Sequence, residues 1–450
     1  MVRISKVDED LGQKSIGMLL WQYSLPAIIA TVATSVYNIV DRIFIGQIVG
    51  PFAIAGMTVT LPLMNICTAF GMLVSSGAAA MVSIRLGENR TQHAAHTLGN
   101  AVLLNLLISV VVSVVGLVFL DDILYLFGAS SLTILYARNF MRIILIGNPI
   151  TQAFFCLNAI MRSSGYPSKA MISILLTMVV NIVLVFVFVY VCDLGIEGAA
   201  LATIWGQVVG LIWVLLHFCL NDSHLHFTKR IFKLRRHICR HICFIGLSPF
   251  FIHLCTCIVV AVFNWQLSVY AGDYAIGAYG IINTVVNFVT VIVLGLSQGM
   301  QPIVGYNYGA KQYGRVEKAL WRTVMIGMSI TIVGFVLMEL FSLEIGLAFT
   351  KDLVMSDIIR SAMKICVLAF PLIGFQVVVS NFFQSIGKAN VSIFLSLSRQ
   401  VLFLVPLLLV LPRYFGLNGI WYAMPVADFL AFVVTAIVLI FFYRKSEQIK

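Results

Sequence analysis

The sequence predicts an all-α polytopic membrane protein, with twelve transmembrane helices in two parallel-repeat six-helix lobes and an intervening cleft. Three observations lead to this prediction. The 450 residues are 60% hydrophobic and only 10% charged, and the mean hydropathy is +1.01. Several uncharged stretches reach the roughly 20 residues that a helix needs to cross a bilayer. Finally, a set of short segments recurs at one fixed distance along the chain.

Apolar runs define the twelve predicted spans. A soluble core cannot hide this much apolar surface, because positions that face water need polar side chains. The first run is too long for the apolar core of a signal peptide and lacks an obvious cleavage site, so we interpret it as a span. The predicted spans are residues 17–46, 52–82, 97–120, 132–156, 170–192, 197–220, 244–270, 275–304, 321–345, 365–385, 392–412 and 418–443.

The distribution of charge predicts the orientation of these spans. If the N-terminus lies in the cytoplasm, most Lys and Arg residues fall in cytoplasmic segments, whereas the opposite loops carry Asp121, Asp122 and Asp193. The positive-inside rule then places both termini in the cytoplasm and the protein in the cell (inner, cytoplasmic) membrane. The net charge of +11 is therefore interpreted as a topology signal, and no nucleic-acid partner is expected.

The chain also contains an internal repeat. Ser75 and Gly87 recur as Ser297 and Gly309, at a distance of 222 residues. The same distance relates three further pairs, namely Asn65 and Asn287, Pro149 and Pro371, and Gly165 and Gly387. Each half holds six spans, an even number, so the repeat is parallel and its axis runs along the membrane normal. The predicted domains are an N-terminal lobe (1–220), a basic cytoplasmic linker (221–243) and a C-terminal lobe (244–450).

Two features of the repeat lead to further predictions. Gly87 and Gly309 stand at repeated helix ends, where glycine commonly lets the chain turn. The linker is rich in Lys, Arg and His. We interpret it as a solvated loop that joins the lobes, and a patch for nucleic acid or anionic lipid is the alternative.

Four stretches, "NIVDRIFIGQIVGPFAIAG", "QPIVGYNYGAKQYGRVEKA", "RSSGYPSKAM" and "GLNGIWYAMPVAD", resemble the multidrug and toxic compound extrusion (MATE) family. The resemblance covers essentially the whole chain and is nearest to the bacterial branch with the DNA-damage-inducible and staphylococcal multidrug exporters. It implies secondary active antiport by alternating access, in which cationic amphipathic compounds leave the cell as H⁺ or Na⁺ enters. It implies antibiotic resistance as a phenotype.

Asp41 is the leading candidate for ion coupling. It lies within the first span, where a charge costs roughly 2.5–3.5 kcal/mol, and low dielectric favours its protonated form. Thr34, Asn38 and Asp41 are spaced i, i+4 and i+7, so they share one helical face that is expected to line a cavity. The alternative is a structural pair with Arg42. The resemblance implies an acidic coupling residue at this place.

The fifth and sixth spans carry the rest of the expected ion-coupling site. The family branch typically shows N-x-x-L-D-P, whereas this chain reads Asn181-Ile-Val-Leu-Val185-Phe. The second carboxylate is therefore absent, and Asn181 and Thr203 remain as oxygen donors. One titrating carboxylate suffices for a proton cycle, so we favour H⁺ and keep Na⁺ as the alternative. We expect no cofactor and no metal site.

Other polar residues inside spans are weaker candidates. Pro26 removes a backbone hydrogen bond from the first span and is a candidate hinge. Arg399 and Asp428 lie in the last two spans, either as a structural clamp or as a substrate or coupling contact, since paired buried charges are cheaper than single ones. Gln384, Asn283 and Asn287 are candidates for lining the central cleft.

The sequence argues against other classes of protein. It contains no H-E-x-x-H or G-x-S-x-G motif of an enzyme and no Walker A motif for ATP. A lipid or glycan-lipid flippase of the same superfamily is the closer alternative, and a channel is another. We expect cationic amphipathic drugs and the lipid bilayer as partners, and a monomer as the working unit.

Overall fold

The computed structural model describes residues 6–48, 51–219, 225–270, 273–349 and 353–447, and these residues form helices and connecting turns without a strand. The N-terminal half consists of α1 (Lys6–Gln13), α2 (Ile16–Ile48), α3 (Pro51–Gly87), α4 (Thr91–Val118), α5 (Leu120–Leu126), α6 (Ile134–Ser163), α7 (Pro167–Val185) and α8 (Gly195–Cys219). The C-terminal half consists of α9 (Arg236–Tyr270), α10 (Asp273–Gly309), α11 (Tyr313–Leu340), α12 (Ser342–Phe349), α13 (Leu353–Cys366), α14 (Phe370–Ser385), α15 (Ala389–Leu397), α16 (Val405–Phe415) and α17 (Leu417–Glu447).

Twelve spans result when one bent helix pair is counted as a single crossing. Among the described residues, 11 helical segments are long and apolar enough to cross a membrane, and α13 and α14 form a further pair bent by 56°. The bend falls where the tenth span was predicted. Pro371 lies in the first turn of α14, where it has no amide hydrogen to continue a helix from α13. The prediction of twelve transmembrane helices is confirmed.

The fifth span of each half contains a π-helical segment, although the 222-residue repeat does not align the two segments. Phe186–Val191 continues α7 in the fifth span, and Ser398–Leu404 joins α15 to α16 in the eleventh. A π-helical segment makes room for an extra residue in a helix and is frequently found at functional sites. Arg399 lies within the second of these segments.

One end of the bundle carries the loops between α3 and α4 and between α10 and α11, and we call it the basic end. Here α3 and α10 cross closely. A Cβ atom on Gly87 would lie 1.9 Å from the Tyr306 carbonyl oxygen, and a Cβ atom on Gly309 would lie 2.1 Å from the Ile84 carbonyl oxygen. Both glycines are therefore required by the crossing.

The prediction that these glycines make the turns was wrong. The left-handed conformation that follows each helix is adopted by Asn89 (φ 58°) and Lys311 (φ 59°), which are themselves related by the 222-residue repeat. Asparagine tolerates this conformation, but lysine rarely adopts it. The two copies therefore have the same backbone conformation in the turn, although the residue differs. The glycines instead allow one half to pack closely against the other.

The two halves share a core at the basic end and have separate cores beyond it. The shared core combines residues of both halves, among them Leu19, Val82, Val304 and Phe382. The C-terminal half has its own core around Phe263, Ile282 and Ile420, and the N-terminal half has one around Ile45, Met141 and Val189. The halves therefore pack together at the basic end, and beyond it each half packs around a core of its own.

Candidate functional site

A small polar cluster joins α2, α7 and α8 in the N-terminal half. The Asn181 side-chain amide donates a hydrogen bond to the Thr203 hydroxyl oxygen at 3.4 Å, and Tyr37 lies 3.3 Å from the same oxygen. Thr203 donates its own proton to the Ala199 carbonyl at 3.0 Å, and either hydroxyl can act as donor in the contact between Tyr37 and Thr203. The structure thus brings Asn181 and Thr203 together, as parts of one hydrogen-bonded cluster with Tyr37.

The Asn181 carbonyl oxygen Oδ1 has no hydrogen-bond partner in the described part of the chain, although the residue is only 1% exposed. An unsatisfied buried acceptor costs about 1–3 kcal/mol, so this oxygen is a natural place for a donor or a cation. Asp41 follows Tyr37 by four residues and shares its face of α2. The side chains of Asp41 and Asn38 lie outside the described residues.

The position of the absent second carboxylate is filled by packing. Val185 is completely buried and belongs to the core of the N-terminal half. A carboxylate there would have to be buried among apolar neighbours. The polar cluster therefore has amide and hydroxyl oxygens on α7 and α8, and its candidate ionisable group is Asp41 on α2.

The other candidates on α2 lie apart from this cluster. Thr34 is half-buried and donates its hydroxyl to the Ala30 carbonyl at 2.8 Å, within its own helix. Pro26 is buried inside α2, which continues from Ile16 to Ile48. Pro26 also lines a cavity of about 420 Å³, whose other lining residues include Asp10, Lys14, Gln22 and Ser168. Neither Asn181 nor Thr203 lines this cavity.

Arg399 and Asp428 form an ion pair in the C-terminal half. Arg399 Nε donates to Asp428 Oδ1 at 2.6 Å, and Asp428 is 4% exposed. The π-helical segment in the eleventh span positions the guanidinium group against α17. The contact satisfies both charges within the bundle, and it is compatible with the clamp and with the coupling interpretation alike.

The remaining candidates lie on α14 and α10. Gln384 donates to the Ser76 hydroxyl, and Gln301 donates to the Ser76 carbonyl at 3.5 Å. These bonds join the two halves in the region where they are packed together. Asn283 is half-buried and Asn287 exposed on α10.

Tyr37 was missed by the sequence analysis. The available signal was its position four residues before Asp41 on the face already singled out by Thr34 and Asn38. In the described ranges, no group of three His, Cys, Asp or Glu side chains could hold a metal ion.

Comparison with known proteins identifies relatives over most of the chain. The MatE family model matches residues 26–187 and 249–410. The multidrug export protein MepA of Staphylococcus aureus (strain bovine RF122 / ET3-1) is 25% identical over 426 residues, which cover 94% of this chain and 93% of the relative. The solved structure of the MATE multidrug transporter DinF-BH has a TM-score of 0.90 and 34% identity, with 98% of both chains covered.

A more distant solved structure has the same fold. A MOP superfamily transporter from Pyrococcus furiosus gives a TM-score of 0.90 at 23% identity, over 96% of both chains. At this identity the likeness shows the fold alone.

Proposed function

The chain belongs to the MatE family, whose relatives are multidrug transporters, and on this basis we propose that it is a secondary active exporter of cationic amphipathic compounds coupled to H⁺. It acts as a monomer in the cytoplasmic membrane without a cofactor and is not an enzyme. In this proposal the basic end faces the cytoplasm, as the positive-inside rule requires, and the chain divides into an N-terminal lobe (1–220), a linker (221–243) and a C-terminal lobe (244–450). In this proposal the cleft lies between the separately packed parts of the two lobes and opens to the outside.

The unpartnered Asn181 Oδ1 is the observation that supports a proton cycle most directly. In the proposed cycle, ionised Asp41 attracts a cationic compound into the N-terminal lobe. A proton from outside neutralises the carboxylate, which removes the attraction for the cation. The new carboxyl O–H can then donate to an acceptor such as Asn181 Oδ1, which has no hydrogen-bond partner among the described side chains. Release of the compound thus follows from protonation of a single group.

The shared core at the basic end supports alternating access. Lobes that pack together at one end and separate at the other present a site between or within them to one side of the membrane. Return to the cytoplasmic side requires the crossing of α3 and α10 to open. In this proposal Pro26 lets α2 change its bend as Asp41 is protonated, because proline removes one backbone hydrogen bond of the helix.

Na⁺ is the second candidate ion, because the cluster offers oxygen ligands. Asn181 Oδ1 and the hydroxyl oxygens of Tyr37 and Thr203 are of the type that hard cations prefer. With only one candidate carboxylate, such a site has less negative charge than a two-carboxylate site. This is why we place H⁺ first.

Efflux from proteoliposomes tests the proposal. The full chain is reconstituted, ethidium is the probe, and a pH gradient and a sodium gradient are imposed separately. We expect efflux to follow the pH gradient and to be lost in Asp41→Asn. The matched control is Asp193→Asn, an exposed carboxylate with φ 53°, a conformation that asparagine tolerates. Full proton-driven efflux in Asp41→Asn would refute the role of Asp41, and efflux driven by sodium alone would favour the second ion.

A further inference from the structure

In the described part of the chain, the junction between the two halves carries positive charge that no carboxylate pairs with. Residues 223–272 contain six Lys and Arg residues and no Asp or Glu. Three other cations at the basic end have acidic partners, in the pairs Lys14–Asp10, Arg85–Glu88 and Arg90–Glu88. By contrast, no described carboxylate pairs with any of the cations that we call the basic junction, Arg230, Lys233, Arg235, Arg236 and Arg240.

The basic junction is fixed against the N-terminal half by its backbone. Asn100 on α4 donates to the Lys233 carbonyl at 3.1 Å and accepts the Arg235 amide hydrogen at 2.6 Å. Ile231 is buried, and its carbonyl oxygen would lie 2.4 Å from a Cβ on Gly99. This part of the linker is therefore docked on α4 and does not behave as a freely solvated loop. Its charges are held in a defined place.

The side chains of the basic junction accumulate charge at one site. Arg236 and Arg240 are both exposed and lie four residues apart on α9, a spacing at which like charges destabilise a helix. Arg235 reaches His96, with 3.1 Å between Nη2 and Nε2. An anion bound at this place would relieve the repulsion between neighbouring cations.

Apolar side chains between the cations indicate the kind of anion. Phe232 is 38% exposed and Leu234 is 55% exposed, and they alternate with Lys233 and Arg235 along the linker. Helix α9 has 35 residues, or about 52 Å at 1.5 Å per residue. A hydrocarbon core of about 30 Å and a bilayer of about 40–45 Å with headgroups leave its first turns at headgroup level. Aromatic and aliphatic side chains that alternate with cations are suited to this interface.

We propose that the basic junction binds the phosphate groups of acidic phospholipids in the leaflet at the basic end. The ligand class is a phosphodiester headgroup of the phosphatidylglycerol or cardiolipin type. Arg236 and Arg240 contact the phosphate oxygens, and Phe232 and Leu234 enter the acyl boundary. Because the junction connects the two halves, bound lipid restrains the segment across which they move. This inference does not depend on which compound or ion is transported.

Lipid titration of the purified full chain tests the proposal. Phosphatidylglycerol is added to the protein in neutral detergent, and binding is followed by native mass spectrometry and by thermal unfolding. Arg236→Gln/Arg240→Gln is compared with Arg360→Gln/Arg413→Gln, which removes two exposed cations from the opposite end. We expect about 30-fold weaker binding for the first pair, since each cation near an anionic surface contributes about 1 kcal/mol, and no change for the second. Equal affinities in the two double variants would overturn the proposal.

Two measurements on the unaltered chain complete the test. The affinity for phosphatidylglycerol should fall as salt is raised, because exposed charges are screened, and phosphatidylcholine should bind more weakly. Glycerol phosphate and inorganic phosphate, titrated as soluble competitors, should not displace the lipid at matched concentration. Displacement by either one would assign the junction to a soluble phosphate, and tight salt-independent binding of phosphatidylcholine would exclude headgroup recognition. Either result would overturn the proposal.

Discussion

Replacement of Gly309 by alanine tests how closely the basic end must close. The new Cβ would lie 2.1 Å from the Ile84 carbonyl oxygen and 3.1 Å from the Glu88 amide nitrogen, whereas ordinary van der Waals contact begins at 3.4 Å. The helices must therefore separate by about 1.3 Å, the difference between 3.4 and 2.1 Å. The obstructing atoms belong to the backbone, so no change of rotamer can relieve the contact.

The free-energy cost of this separation predicts how far the equilibrium between the closed and the open basic end should shift. Overpacking of a tight interface typically costs about 1–3 kcal/mol. The contact between α3 and α10 exists only while the basic end is closed, so the penalty falls on that state. A free-energy difference of about 1.4 kcal/mol changes an equilibrium constant tenfold. The equilibrium should therefore shift by roughly 5- to 150-fold toward conformations in which the basic end is open.

The assay is the modification rate of a cysteine placed at Ser83, which is 1% exposed in the interface. In a background without the nine native cysteines, a polar maleimide should label this position faster in Gly309→Ala. The matched control is Gly314→Ala, at the start of α11, where a Cβ would meet nothing within 4 Å. If both variants label and export ethidium alike, the crossing does not limit closure and the reasoning is refuted.

Three further outcomes follow from contacts elsewhere in the bundle. Asp428→Asn should lower the free energy of unfolding by about 3–5 kcal/mol, because Arg399 loses its buried counter-charge. The double variant Asp428→Leu/Arg399→Met should recover much of the lost stability, as measured by thermal unfolding. Arg315→Gln removes the guanidinium bonds to the Leu11 and Lys14 carbonyls, so limited proteolysis should cut the N-terminal segment faster, whereas Lys318→Gln should behave like the unaltered chain. Asn100→Ala removes the acceptor of the Arg235 amide, and hydrogen exchange in a peptide spanning this residue should accelerate; unchanged protection would mean that the linker is held by other contacts.

Composition and periodicity predicted the spans because each span must satisfy its own backbone hydrogen bonds within lipid. The number of crossings and the repeat could be obtained from this local information. The 56° bend between α13 and α14 could not, since Pro371 indicates a break but gives no angle. Gly87 and Gly309 were assigned to turns by a local rule, although their reason is a contact between helices far apart in sequence.

The same limit applies to the candidate site. Asn181 and Thr203 were named from the sequence, yet their hydrogen bond depends on the packing of α7 against α8. Tyr37 is identified only when α2 is placed beside both helices. A sequence pattern shows which polar residues share one helix face, whereas the unsatisfied oxygen of Asn181 is a property of three helices together.

The two copies of the repeat meet at the crossing of α3 and α10, and the geometry explains why glycine recurs there. Gly87 packs against the Tyr306 backbone, and Gly309 packs against the Ile84 backbone. Because Ile84 and Tyr306 are equivalent in the repeat, these are two copies of the same contact, related by the axis between the halves. A change in one copy therefore alters both sides of the same crossing, and glycine is required in each. The candidate coupling residues are free of this constraint, since the repeat places Phe263 opposite Asp41 and Phe403 opposite Asn181. Closure of the basic end thus depends on both halves equally, whereas the proposed ion site occupies only one of them.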